Sequence, residues 1–149
     1  MGRPIRLDDA MDAAMSETFE GMAFSEVVRT LPKDEAVEGL EEPIVWQRIE
    51  VRSPAAGTLL LGVEESFVRR LEERVTGAES GEEAGRLDAL AEVLNALAGR
   101  WACRLSPPSE PVALGLPVTG RGPWSPNDVH EWAVYVTDEQ ERIVVARIA

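Results

Sequence analysis

The segment that most restricts the fold is Leu87–Leu105, LDALAEVLNALAGRWACRL. Leu87, Leu90, Leu94, Leu97, Trp101 and Leu105 recur three to four positions apart, and at 100° per residue they form one apolar helical stripe. The polar run TGAESGEEAGR before it reads as a flexible connection. The prolines of RLSPPSEP after it end the helix, because proline lacks an amide and clashes with the preceding turn. The other side carries Asp88, Glu92, Asn95 and Gly99, with small neighbours, chiefly Ala96 and Ala102. Asparagine is a poor helix-interior residue because its amide competes for backbone groups. Glycine there costs about 1 kcal/mol relative to alanine. A merely solvated face more often carries Lys, Glu and Arg, so this exposed ridge suits the close approach of another molecule.

The remaining elements follow from periodicity. Met11, Met15, Phe19 and Met22 or Ala23 predict a helix from about Asp8 to Val28. After a charged loop closed by Pro43, IVWQRIEV and TLLLGV read as two strands joined at SPAAG in an antiparallel hairpin. Phe67, Leu71 and Val75 mark a short amphipathic helix in EESFVRRLEERV. PVALGLPVTG, VHEWAVYVT and RIVVARIA read as strands, the last two a hairpin turning at DEQE. The two long helices open alike, at Arg6-Leu7-Asp8 and Arg86-Leu87-Asp88, and each runs into strands, which suggests a duplicated unit. The expected class is α+β: an antiparallel sheet with the two long helices packed on one face, in a single domain spanning residues 1–149.

Charge and residue usage narrow the chemistry. The net charge of -12, spread along the chain, argues against nucleic acid and leaves a protein or small ligand as partner. One cysteine, Cys103, and one histidine, His130, exclude an intrachain disulfide and argue against a His/Cys metal cluster, so no metal site of its own is expected. The N-terminal MGRPIRLDDAMDAAM lacks the apolar core of a secretory signal, and no apolar run has the length of a membrane span. A cytoplasmic location is the expectation. Trp46, Trp101, Trp124 and Trp132 are expected as core or interface anchors, Trp124 in a loop.

The pattern E-x-x-N-x-x-x-G formed by Glu92, Asn95 and Gly99, followed by PVALGLPVTG, resembles the second half of the CheX/CheC-type chemotaxis phosphatases. VRSPAAGTLLLGVEESFVRRLEERVTG is similar to that family's hairpin and following helix, so the resemblance covers nearly the whole chain. It implies dephosphorylation of the phospho-aspartate of a CheY-like response regulator, with Glu92 pairing with a lysine of the partner and Asn95 holding the attacking water. Asp88, Ala96 and Gly99 would line the docking surface. Mg2+ would come with the regulator, the chain having no cofactor of its own. CheC-type members carry two such helices, CheX-type members one. Here the first helix offers Glu17 and Glu20, or Asp12 and Met15 if aligned through the shared Arg-Leu-Asp, and neither pair makes a second site. The resemblance also implies a homodimer joined across strand edges, for which RIVVARIA would be a liability as a free edge. The competing reading is a non-catalytic binding module that recognises a response regulator or another signalling protein.

Overall fold

The computed structural model describes residues 3–4, 9–30, 44–53, 56–105, 111–120 and 131–148. The chain runs β1 (Arg3–Pro4), α1 (Asp9–Ala23), β2 (Val27–Arg29), β3 (Ile44–Ser53), β4 (Gly57–Glu64), α2 (Glu65–Thr76), α3 (Glu83–Leu105), β5 (Ala113–Leu114), β6 (Val118–Thr119), β7 (Glu131–Thr137) and β8 (Arg142–Ile148). Among the described residues this is an α+β fold with three helices packed on one face of a single sheet. Outside the described residues lie the first Arg-Leu-Asp, the charged loop ending at Pro43, Pro54, the tandem Pro107 and Pro108 after α3, Trp124 and His130.

The sheet order is β1-β7-β8-β4-β3-β5, with β2 also on β7 and β6 also on β3. Every pairing is antiparallel except β1 with β7. The duplication is legible in this order. The β3–β4 and β7–β8 hairpins meet at β4–β8, and each half lends its post-helix strand to the other half's outer strand: β2 to β7, β5 and β6 to β3. The helices repeat the symmetry in their burial. Met11, Ala14, Met15, Thr18, Phe19 and Ala23 of α1 are buried, as are Leu90, Val93, Leu94, Leu97, Ala98 and Ala102 of α3 in the same rhythm.

The main core lies between helices and sheet, filled by Met11, Met15, Phe19, Phe67, Leu71, Leu90, Leu94, Leu97 and Trp101 against Ile49, Leu59, Leu61, Tyr135, Ile143 and Val145. A second cluster, Leu60, Trp132, Val134, Val144 and Ala146 with half-buried Trp46, occupies the opposite face. Trp46, Trp101 and Trp132 therefore anchor cores, as their size and amphipathic rings favour.

Four expectations change. The first helix stops at Ala23 and not near Val28: Phe24 adopts the left-handed region at φ 52, and Val27–Arg29 then joins the sheet. The apolar face of α3 is wider than one leucine stripe because α1 and α2 both pack against it. Ala102 is buried and so leaves the ridge, whereas Leu105 is 38% exposed. The polar run before α3 is pinned, since the buried Glu72 carboxylate accepts from the Ser80 backbone N–H at 2.9 Å and the Ser80 hydroxyl at 2.7 Å. Finally, β8 is flanked on both sides by β4 and β7, so it is an interior strand and no edge liability.

Candidate functional site

Helix α3 begins at Glu83, one turn before Leu87, and its buried residues fix which side faces out. Glu92 and Asn95 are both exposed, and Asp88 is exposed a turn earlier; Ala96 and Gly99 are half-buried beside them. Three residues of helix separate Glu92 from Asn95 by about 4.5 Å along the axis. Neither side chain has a hydrogen-bond or ion-pair partner among the described residues. Both polar tips are free for an external group.

The ridge is held in place from below. The buried Gln47 of β3 donates from Nε2 to the Leu87 carbonyl at 3.3 Å and to Thr119 Oγ1 at 3.0 Å, tying the start of α3 to β3 and β6. The sequence gives no sign of this role, because a glutamine in a strand pattern reads as a solvated position. Gly85 permits the close approach of α3 to the preceding turn: a Cβ there would stand 2.2 Å from Glu72 Oε2 and 2.3 Å from Ser80 Oγ.

Gly99 is different. A Cβ at that position would meet only Leu114 Cδ1, at 4.0 Å, an ordinary contact. Nothing among the described residues requires glycine there, so its helix-propensity cost of about 1 kcal/mol finds no compensation among them. Asp88 and Glu92 are a like-charge pair at i, i+4, which costs an isolated helix about 0.2–0.5 kcal/mol. Glycine, asparagine and two unneutralised carboxylates on one face disfavour the helix and favour a cationic, closely approaching partner.

No equivalent ridge exists on α1. Alignment through the shared Arg-Leu-Asp would set Met15 opposite Asn95, but Met15 is fully buried. Registers that match the burial of the two helices set Ala13 and Ser16, or one turn on Glu17 and Glu20, opposite Glu92 and Asn95. Glu17 is already paired with Arg104 of α3. Other singled-out groups stay apart: Cys103 is exposed and lone, and Asp12 accepts from Arg29 Nε at 2.9 Å and the Tyr135 hydroxyl at 2.6 Å, a pin between α1 and the sheet. Burial and the Asp12 hydrogen bond push the Tyr135 hydroxyl well above its ordinary pKa, which keeps it a donor. Among the described residues no three His, Cys, Asp or Glu side chains gather as a metal site, and no helix is long and apolar enough to cross a membrane.

No protein-family model and no curated protein matches the sequence. Solved structures match the fold over nearly its full length. The chemotaxis protein CheX from Vibrio vulnificus superposes with a TM-score of 0.73 at 13% identity, covering 99% of both chains. CheX from Desulfovibrio desulfuricans gives 0.72 at 14% identity, covering 96% of this chain and 98% of that one. A CheX–CheY–BeF3–Mg2+ complex from Borrelia burgdorferi gives 0.64 at 13% identity, with 96% and 98% covered. The chain thus has the fold of the CheX chemotaxis proteins, as the sequence resemblance implies.

Proposed function

We propose that this protein is a CheX-type phosphatase that dephosphorylates the phospho-aspartate of a CheY-like response regulator. The observation that carries this reading is the pair of unpartnered polar tips, Glu92 and Asn95, one turn apart on the exposed ridge of a fold whose Borrelia counterpart forms a complex with CheY. Asp88, Ala96 and Gly99 form the rest of the contact surface: small residues admit the partner's backbone and the carboxylates attract its positive charge.

Phosphoryl transfer to water asks a protein mainly for positioning and electrostatics, since attacking and leaving oxygens lie in line and little covalent work remains. A carboxamide suits that task. Asn95 accepts from the water through its carbonyl oxygen and donates through its NH2, fixing the water without removing its proton. Glu92 pairs with a lysine of the regulator, which docks the helix and sets its distance from the phosphoryl group. Mg2+ belongs to the regulator's site in this scheme, since the Asp88 and Glu92 carboxylates and the Asn95 amide along one helix make a poor ligand set for an ion that demands octahedral oxygen coordination. A partner of the CheY type places the work in the cytoplasm.

The test is decay of a radiolabelled phospho-regulator with and without the protein. Acceleration that Asn95→Ala removes, with binding retained, is the expected result. Binding without acceleration in the wild-type chain would favour the recognition-module reading instead.

A further inference from the structure

On the sheet face opposite the helices, at the β3 edge, Arg48, Glu50, Arg52, Thr58, Gly115, Leu116 and Val118 line a cavity of about 300 Å3. Arg48, Glu50 and Arg52 alternate along β3 and so share this face, spaced about 6.8 Å apart. Arg48 stands directly across from Val118 of β6, and Glu50 from Thr58 of β4. Glu50 is engaged by Arg52, whose Nε donates to its Oε1 at 2.8 Å. Arg48 has no hydrogen-bond or ion-pair partner among the described residues. Beside it lie two of the most exposed aliphatic side chains described, Leu116 at 86% and Val118 at 50%. The wall at residue 115 is kept shallow by glycine: a Cβ there would press on Glu50 Cβ at 3.3 Å.

The groove's lining carries two guanidiniums against one carboxylate, in a chain of net charge -12. The lining's one excess positive charge, on Arg48, gives this groove a local complement for an acidic group that the chain's net charge denies it elsewhere. An apolar wall beside an unpaired guanidinium calls for a carboxylate and an aliphatic group on one molecule. Extended peptide places side chains i and i+2 on one face at the same spacing as the β3 residues that form the floor. We propose that this groove docks an acidic peptide segment of a partner protein, with a carboxylate on Arg48 and an aliphatic side chain two residues away against Leu116 and Val118. The site lies across the sheet from Glu92 and Asn95, so it can be filled while the α3 ridge is occupied, and it stands independently of the phosphatase reading.

The probe is the capped hexapeptide acetyl-Ser-Leu-Ser-Glu-Ser-Ser-amide, titrated into the 15N-labelled full chain. Amide shifts confined to the Arg48–Arg52 stretch, Thr58 and Gly115–Val118 are expected. Arg48→Glu and Leu116→Ser, both at exposed positions, should each weaken binding at least tenfold while leaving the rest of the spectrum in place. Replacing the peptide's Glu by Gln should do the same. Any of four results overturns the proposal: no shifts at millimolar peptide, equal binding of the Gln peptide, shifts centred on Asp88–Gly99, or hexanoate binding as tightly as the peptide. The same shifts produced by raising the protein's own concentration would assign the groove to a second copy and overturn it equally.

Discussion

At residue scale, the ridge of α3 gathers residues that no contact among the described residues explains, and the proposed docking surface accounts for them. Gly99 is the sharpest case because the fold leaves room for a Cβ beside Leu114. Gly99→Ala should therefore stabilise the protein by about 0.5–1 kcal/mol, about 1–4 °C in Tm for a chain of this size, while weakening regulator docking several-fold. Gly21→Ala, at another open helical position, serves as the control: a similar gain in Tm with no change in docking. Calorimetry and a pull-down on both variants separate the cases, and a Gly99→Ala protein that docks normally would remove the ridge's small residues from the contact. The roles proposed for the two polar tips predict different outcomes on substitution. Asn95→Ala should abolish most hydrolysis and spare binding, whereas Glu92→Ala should weaken both and Glu92→Gln should bind better than Glu92→Ala. Glu20→Ala should change the hydrolysis rate by less than about twofold, under about 0.5 kcal/mol. The ridge was legible in the sequence because helical period alone sorts inside from outside. Gln47, which fixes the ridge from the sheet, was not, because its contacts to Leu87 and Thr119 span 40 and 72 residues.

At the scale of elements, periodicity placed every long helix and both hairpins, and it failed where long-range pairing decides. The end of α1 is one instance: helical spacing continues past Ala23, but β7 offers Val27–Arg29 a ladder, and the chain turns at Phe24 to take it. The β7–β8 turn is another. Glu141, 5% exposed, accepts from Arg70 of α2 and from the Thr137 hydroxyl at 3.1 Å, with Arg74 Nη1 at 3.8 Å, so it joins hairpin to helix. Burial raises its pKa above the ordinary 4.5, and the guanidiniums of Arg70 and Arg74 and the Thr137 hydrogen bond only partly offset this. With the folded value above the unfolded one, the folded chain holds the proton more tightly. The stabilising contribution is complete below the unfolded value and is lost as pH rises through the folded one. Glu141→Gln lacks that loss, so its Tm should gain on the parent's as pH is raised from 4 toward 7. Paired thermal scans decide it: a variant that loses ground with rising pH would mean that the ion pairs outweigh the burial.

For the whole molecule, the exchange of β2 and β5/β6 between halves closes the interior of the sheet and leaves two edges among the described strands. The apolar C-terminal strand is not one of them, since β8 sits between β4 and β7. One edge is the β5–β6 side. The other is formed by β1 and β2 along β7, and it presents Val28 at 67% exposure with Phe24 at 77% just before it. Phe24 also holds a left-handed backbone, φ 52, which disfavours a bulky residue by about 1–3 kcal/mol. A large apolar side chain at such a position, next to a strand edge that no described strand pairs with, fits a surface covered by a second copy. Homodimerisation through the β1–β2 edge is therefore expected, with light scattering at micromolar concentration giving twice the 16.3 kDa chain mass. Phe24→Asn with Val28→Ser should give a folded monomer, because asparagine tolerates the left-handed conformation and neither residue contributes to the core. A wild-type chain that scatters as a monomer, or a double variant that remains dimeric, would place the contact elsewhere or remove it.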